Sequence, residues 1–384
     1  MSGPLEGLLV ADFSRVLAGP FATMLLGDLG ADVVKVEHPA GGDETRGWGP
    51  PWYRDHSTYY LAVNRNKRSV ALDLRTGAGR RAASALAARA DVLVENFKAG
   101  AAERLGLGYE EVGRDNPGLV WCSISGFGRG PGADLPGYDF LVQAMSGLMS
   151  ITGPAGGEPT KVGVALVDVL TGLYAFGGVL AALRERDRTG RGQRVEVSLL
   201  GSALASLVNQ ASSFLCTGRP PRAMGNRHPS ITPYETLATA DRPLVVAVGN
   251  DGQFARLCRA LGRDELAADP RFATNGLRCA NVAELDDAIA AWTRTLPAAE
   301  AEAALEAVDV PCSRLYDIRD CAEDPHFRAR DTVMRVEDPL LGPVLHPAAP
   351  FRFQAIAPRE MVRWPGPAPG QHNAQVFGEA TKKG

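Results

Sequence analysis

The chain has 384 residues, enough for two domains or for one large domain carrying an inserted smaller one. With 41 Lys+Arg against 44 Asp+Glu its formal charge is −3, so no global field gathers nucleic acid or an anionic membrane, and any anion site must be local. The six cysteines (Cys122, Cys216, Cys258, Cys279, Cys312 and Cys321) form no C-x-x-C pair and no histidine stands at zinc spacing, which argues against a disulfide framework or a metal site. The first residues, MSGPLEGLLVADFSRV, lack a basic segment followed by a long apolar one, and no window reaches 18 uninterrupted apolar residues. The expectation is a cytoplasmic protein with reduced thiols, no membrane span and no nucleic-acid partner.

In chain order, LLVADF (8–13) predicts a buried strand, PFATMLLGDLG (20–30) a helix with proline in its first turn, and DVVKVE (32–37) a second strand. That is one βαβ unit. A helix over 77–90, strands DVLVENF (91–97) and GLVWCSIS (118–125), and a helix over 138–148 extend the alternation. VGVALVD is expected to be a strand, VLTGLYAFGGVLAALRER a helix, and RVEVSLL a strand leading into another apolar helix. Such alternation predicts an α/β fold with a mostly parallel, Rossmann-like sheet covered on both faces.

The pattern breaks at TGRPPRAMGNRHPSITP (217–233), which has no apolar period and is read as a linker. Beyond it, YETLATADRPLVVAVG predicts a β-hairpin turning at Ala240–Pro243, followed by helices near 252–261, 283–294 and 298–307. Residues 234–329 are therefore expected to form a small α+β domain. TVMRVEDP and PVLHPAAPFRFQ read as strands returning to the first domain, so that 1–216 and 330–384 together make the large one.

The first βαβ unit places Glu37 where a ribose-binding acid sits in dinucleotide folds, but SRVLAGP replaces the G-x-G-x-x-G turn and no P-loop occurs. Nicotinamide, flavin and ATP-driven chemistry lose their usual signal. No G-x-S-x-G elbow is present, and the six histidines show no nucleophile or metal pattern. RNKR (65–68) reads either as a solvated turn or as a phosphate contact. Asp168 stands alone in the apolar run GVALVDVLTG. After the expected strand it reads as the N-cap of the helix, and a helix N-terminus favours an ionised carboxylate able to act as a nucleophile.

The stretches LAGPFATMLLGDLGADVVKVEHPAGGDETRGWGPP, STYYLAVNRNKRSVALDL, ENFKAG, RLGLGY, SISGFG, GYDFLVQAMSGLMSITG and GVALVDVLTGLYA resemble, in order, the class III CoA-transferase family; VGNDGQF and PGQH extend the likeness over nearly the whole chain. The resemblance implies a Rossmann-like large domain with an inserted small domain and an interlocked homodimer. It implies that Asp168 is the nucleophile, forming aspartyl anhydrides and an aspartyl-CoA thioester, with coenzyme A as a substrate and no tightly bound cofactor. CoA is expected beside Leu17, Ala18, Leu72, Asn96, Phe97, Lys98, Arg104, Tyr138 and Asp139, while Gly249 and Asn250 match a loop that covers the site in formyl-CoA transferases. Those enzymes carry glutamine where this chain has Leu17, which counts against oxalate as substrate. The alpha-methylacyl-CoA racemases carry a histidine base where this chain has Tyr138, a weak substitute as a proton carrier, so racemisation is the alternative, as is a non-catalytic CoA-binding paralogue. The fullest likeness is to the succinate–hydroxymethylglutarate branch, which implies succinyl-CoA as donor and dicarboxylic acids as substrates, with Arg15 or Arg46 as the cation for the far carboxylate.

Overall fold

Val10 and Ala11 in one strand, and Val33, Val34 and Val36 in the next, leave both faces apolar, as a parallel sheet wrapped by helices requires. The computed structural model describes residues 3–339 and 341–378. Its main sheet contains β1 (Leu9–Asp12), β2 (Asp32–Glu37), β3 (Lys67–Ala71), β4 (Val92–Glu95), β5 (Val120–Ser125) and β6 (Arg194–Ser198), all parallel, in the order β3-β2-β1-β4-β5-β6. The order reverses between β1 and β4, the switch point at which doubly wound sheets open a crevice beyond their C-terminal strand ends.

Register sets what each face meets. Val10, Val33, Val94 and Ile124 pack with α1 (Ala18–Asp28), while Ala11, Val34, Leu93 and Trp121 pack with α2 (Gly77–Arg89) on the other face. Downstream come α3 (Asp139–Met145), α4 (Leu166–Thr189), α5 (Leu199–Ser206) and α6 (Val208–Thr217). By length and composition α4 could cross a bilayer; here Val167, Thr171, Ala175, Val179 and Ala182 bury one face of it. α4 and α1 approach closely at Gly172, where a Cβ would stand 2.7 Å from the Ala18 carbonyl oxygen.

One expected element is absent: residues 161–165 form no strand, and α4 begins at Leu166. A short apolar run fits a buried strand or the first turn of a buried helix equally well, and here the helix wins. Val162 is held instead through its N–H by Gln143 Oε1 at 2.9 Å.

Internal contacts divide the chain into two units, Met1–Leu148 with Lys161–Arg219 and Pro325–Gly384, and Met149–Thr160 with Pro220–Asp324. The sequence reading kept 149–160 in the large domain. The segment closes on itself through Thr160 N–H donating to Thr152 O at 2.9 Å, and Gly225 N–H donating to Gly153 O at 3.0 Å ties it to the rest of the second unit. The second unit contains a small antiparallel sheet of β7 (Tyr234–Leu237), β8 (Leu244–Ala247) and β9 (Cys312–Arg314), in the order β9-β8-β7. Against it pack α7 (Asp251–Ala260), α8 (Val282–Thr293) and α9 (Ala298–Glu306) through Phe254, Leu257, Leu285, Ile289 and Leu305.

Within the first unit, strands Val333–Asp338 and Gly342–Pro347 form an antiparallel hairpin. The chain then runs along β3 at the sheet edge: Asn66 N–H donates to Trp364 O, Trp364 Nε1 to Lys67 O, His372 N–H to Ser69 O, and Ala71 N–H to Asn373 Oδ1.

Candidate active site

The loops leaving β1, β4 and β5 close around a cavity of about 940 Å³ at the switch point. Its lining includes Val16, Leu17 and Ala18 after β1, Asn96, Phe97 and Lys98 after β4, Tyr138 and Asp139 at the start of α3, and Asp168. Part of the floor is polar because strand register aligns Glu95, Ser123 and Glu196 across β4, β5 and β6.

Asp168 is the third residue of α4, whose N-cap position is Ala165, so the expected capping role is not its own. The cap comes from α3: Asp139 Oδ1 accepts the N–H groups of Val167 at 2.8 Å and of Asp168 at 3.2 Å. Asp139 Oδ2 in turn accepts from Gln143 Nε2 at 2.6 Å. The expected electrostatics reverse as well. Burial, reinforced by the neighbouring Asp139 charge, pushes the Asp168 carboxyl up to about 7. Near neutral pH a large fraction is still ionised, and that fraction is a more basic oxygen nucleophile than an ordinary carboxylate.

The cavity thus collects Arg15, Leu17, Ala18, Asn96, Phe97, Lys98, Tyr138, Asp139 and Asp168 from the sequence-derived set. Leu72 and Arg104 are not in its lining: Leu72 is buried with the apolar residues around α2, and Arg104 lines a separate surface depression with Arg80 and Arg81. Arg46 is absent from the lining too, its donors committed to both Glu37 oxygens (2.8 and 2.7 Å), Tyr60 Oη and Pro367 O. Arg15 pairs with Glu44 at 2.9 Å, both side chains half exposed at the cavity wall. Gly249 and Asn250 belong to the second unit, where Asn250 caps α7 by accepting from Gln253 N at 2.9 Å.

Neither reading of RNKR survives. Arg65 is buried against Asp28 at 2.6 Å, and Lys67 is fully buried, donating to Asp12 at 3.0 Å and to Pro20 O at 2.9 Å. The charge run is an internal brace, a role that composition cannot distinguish from a solvated turn.

Three features went unread in the sequence. Tyr59 lies close enough to Asp168 and Asp139 that burial and their charges push its hydroxyl up to about 12, and Trp48 packs edge-on against its ring at 5.0 Å. Glu95 lines the cavity; burial raises its carboxyl to about 7, although Ser123 and the Phe97 N–H, at 2.7 Å, hydrogen-bond to it. Arg129 and Arg194 share Glu196 at 2.5 Å each on the same floor. Register alone reveals the last two groupings, and register is not visible before the strands are paired.

A family model described as CoA-transferase family III matches residues 5–373. The chain belongs to this family and is a CoA-transferase. It is 43% identical over 390 aligned positions to the succinate–glutarate CoA-transferase of Agrobacterium fabrum, covering 98% of this chain and 95% of that protein. The mouse succinyl-CoA:glutarate CoA-transferase is 40% identical, with 99% and 87% of the two chains covered. Among solved structures, a CAIB/BAIF family protein from Brucella suis superposes with a TM-score of 0.87 at 41% identity, covering 99% of this chain and all of that one.

Proposed function

We propose that this enzyme moves CoA from succinyl-CoA to a second dicarboxylic acid, with glutarate the leading acceptor, and that Asp168 is the nucleophile. The observation that carries this reading is a partly buried carboxylate at the first turn of α4 that lines a cavity large enough for a thioester. The names of the relatives support the substrate class: succinate–glutarate for the Agrobacterium protein and succinyl-CoA:D-citramalate for a relative from Chloroflexus aurantiacus, 38% identical over 97% of this chain and 93% of its own length.

In this mechanism an Asp168 oxygen attacks the thioester carbonyl, the C–S bond breaks, and CoA thiolate leaves a mixed anhydride. The thiolate then attacks the aspartyl carbonyl, releasing succinate and forming an aspartyl-CoA thioester. The acceptor carboxylate displaces CoA by the same addition to give a second anhydride. Thiolate attack on the acceptor's acyl carbon completes the new thioester and returns Asp168 as carboxylate. No net bond energy is required, so no nucleotide is consumed. The anhydrides need protection from water, to which the apolar Leu17, Ala18 and Phe97 lining the same cavity as Asp168 contribute.

Arg15 is assigned to the far carboxylate of the dicarboxylate, exchanging its exposed partner Glu44 for substrate. Arg104, with Arg80 and Arg81, forms a cationic depression suited to the phosphates of CoA. The exposed apolar residues Phe140, Leu141 and Met145 on α3, Leu173 and Tyr174 on α4, and Phe214 and Leu215 on α6 favour coverage by a second copy in an interlocked dimer. The free cysteines suit a reducing cytoplasm, and α4 is taken as a core helix.

The test is an exchange screen of labelled succinyl-CoA against mono- and dicarboxylic acids, with hydroxylamine trapping of the aspartyl thioester. Transfer to dicarboxylates with a hydroxamate at Asp168 is expected. Full activity in Asp168→Ala, or deuterium exchange at a substrate α-carbon in place of transfer, would sink the reading.

A further inference from the structure

Five consecutive backbone polar groups beside the cavity are each held by a side chain from β1, β2 or the segments that follow β2 and β4. Ser14 N–H donates to Asp12 Oδ1 at 3.0 Å, and Ser14 O accepts from Lys35 Nζ at 3.0 Å. Asn96 grips Arg15 on both sides, accepting from its N–H at 2.9 Å and donating to its carbonyl at 2.8 Å. Val16 N–H then reaches the Asp43 carboxylate, 3.3 Å from the nearer oxygen. Val16 sits at φ +69°, a left-handed conformation that β-branched residues avoid. Such a residue persists only where its surroundings over-determine it.

Three members of this grip are charged, Asp12, Lys35 and Asp43, and the last two form one pair. Lys35 Nζ lies 2.8 Å from Asp43 Oδ2, with side chains 1% and 0% exposed. A fully buried ion pair contributes little net stability, because its desolvation cost offsets the Coulomb attraction. Packing alone therefore gives no reason for charges here. Both ions end on Ser14–Val16, and the next two residues, Leu17 and Ala18, line the cavity with Asp168. Ala18 is also where α4 touches α1 through Gly172, one turn beyond Asp168.

We propose that Lys35 and Asp43 are positioning residues for the reaction at Asp168: the buried pair holds Val16 left-handed and so fixes Leu17 and Ala18 against the bound thioester. This rests on the CoA-transfer reading above. The step it serves is addition of the Asp168 oxygen to the thioester carbonyl, which depends on reacting atoms held about 3 to 3.5 Å apart.

The experiment compares intact wild type with Asp43→Asn, which keeps an acceptor but removes the charge, and Lys35→Met, which removes the cation. Steady-state kinetics with succinyl-CoA and glutarate are read beside thermal unfolding. In both variants kcat is expected to fall about a hundredfold, the cost of misplacing reacting groups by roughly 1 Å, with KM for succinyl-CoA little changed. Arg65→Met is the control, because it breaks the equally buried Arg65–Asp28 pair, whose residues do not line the cavity; it should lose Tm while keeping kcat. Wild-type kcat in a folded charge variant overturns the proposal, as does a loss of kcat in Arg65→Met proportional to its loss of Tm. Should Lys35→Met not fold, Asp43→Asn decides alone. A wild type unable to transfer CoA to any acid overturns the functional reading and this proposal together; an active wild type with undiminished variants overturns only the positioning.

Discussion

Asp139 Oδ1 lies 3.2 Å from the backbone nitrogen of Asp168, so the carboxylate that caps α4 also sets the charge environment of the residue that α4 presents. One acid holds the helix that carries Asp168 in place and, adding its like charge to the larger effect of burial, raises the basicity of the Asp168 carboxylate.

The pH dependence follows from that pair. In the proposed mechanism the Asp168 carboxyl, pushed up to about 7, must be ionised to attack, so kcat/KM should rise between pH 6 and 8 and level off above. Asp139→Asn keeps an acceptor for the cap and removes the like charge; the rising limb should move to lower pH. An unmoved limb would disconnect the two residues.

Stability should respond with the opposite sense. A carboxyl whose folded pKa exceeds its ordinary 3.8 disfavours folding once ionised, with no cost below pH 3.8 and the full cost above 7. Asp168→Asn is therefore expected to be more stable than wild type at pH 8, by roughly 2 kcal/mol after allowance for partial exposure, with little difference at pH 4, as denaturant unfolding at the two pH values would check.

Asp12 works in the other direction. Burial raises its carboxyl, but Lys67, Lys35, Ser14 and Thr23 outweigh that and hold it at about 2. Its contribution is complete above the ordinary 3.8 and is lost as pH falls towards 2, so acid unfolding should show a transition there. Lys67→Met, by removing the cation that hydrogen-bonds to the buried carboxylate, should cost about 3 kcal/mol in denaturant unfolding at pH 7, Lys35, Ser14 and Thr23 remaining in place.

Gly172→Ala places a methyl 2.7 Å from the Ala18 carbonyl oxygen and 3.0 Å from the Phe21 ring. The two helices must separate, costing about 1 to 3 kcal/mol. Activity is expected to fall further than stability, which a comparison of kcat and Tm would check.

Arg15→Ala should raise KM for glutarate about tenfold, the value of a charge-assisted hydrogen bond, and leave a monocarboxylate acceptor unaffected. Equal loss for both acids would remove Arg15 from substrate recognition.

How much of this was legible before the chain folded differs from feature to feature. The βαβ start and the parallel sheet followed from Val-rich strands and alternation, and Asp168 stood out as a charge in an apolar run. Its neighbours did not. Asp139 and Asp168 are 29 positions apart, and only the packing of α3 against α4 makes one the cap of the other. The same apolar run that marked Asp168 suggested a strand, because periodicity cannot separate a short buried strand from a helix start. Lys67 and Arg65 looked like surface charges because a buried cation is recognised only by its partner, and Asp12 and Asp28 lie 55 and 37 residues away.

The hydrogen bonds from Trp364, His372 and Asn373 to β3 bear on how the protein is made. β3 ends the sheet, and its open edge is a template for pairing with another chain until those late residues arrive. During synthesis, which proceeds at about 5–20 residues per second, 302 residues separate the emergence of Ala71 from that of Asn373. The nascent first unit thus spends tens of seconds with a sticky rim, and this interval is when it is most exposed to edge-to-edge pairing with other chains.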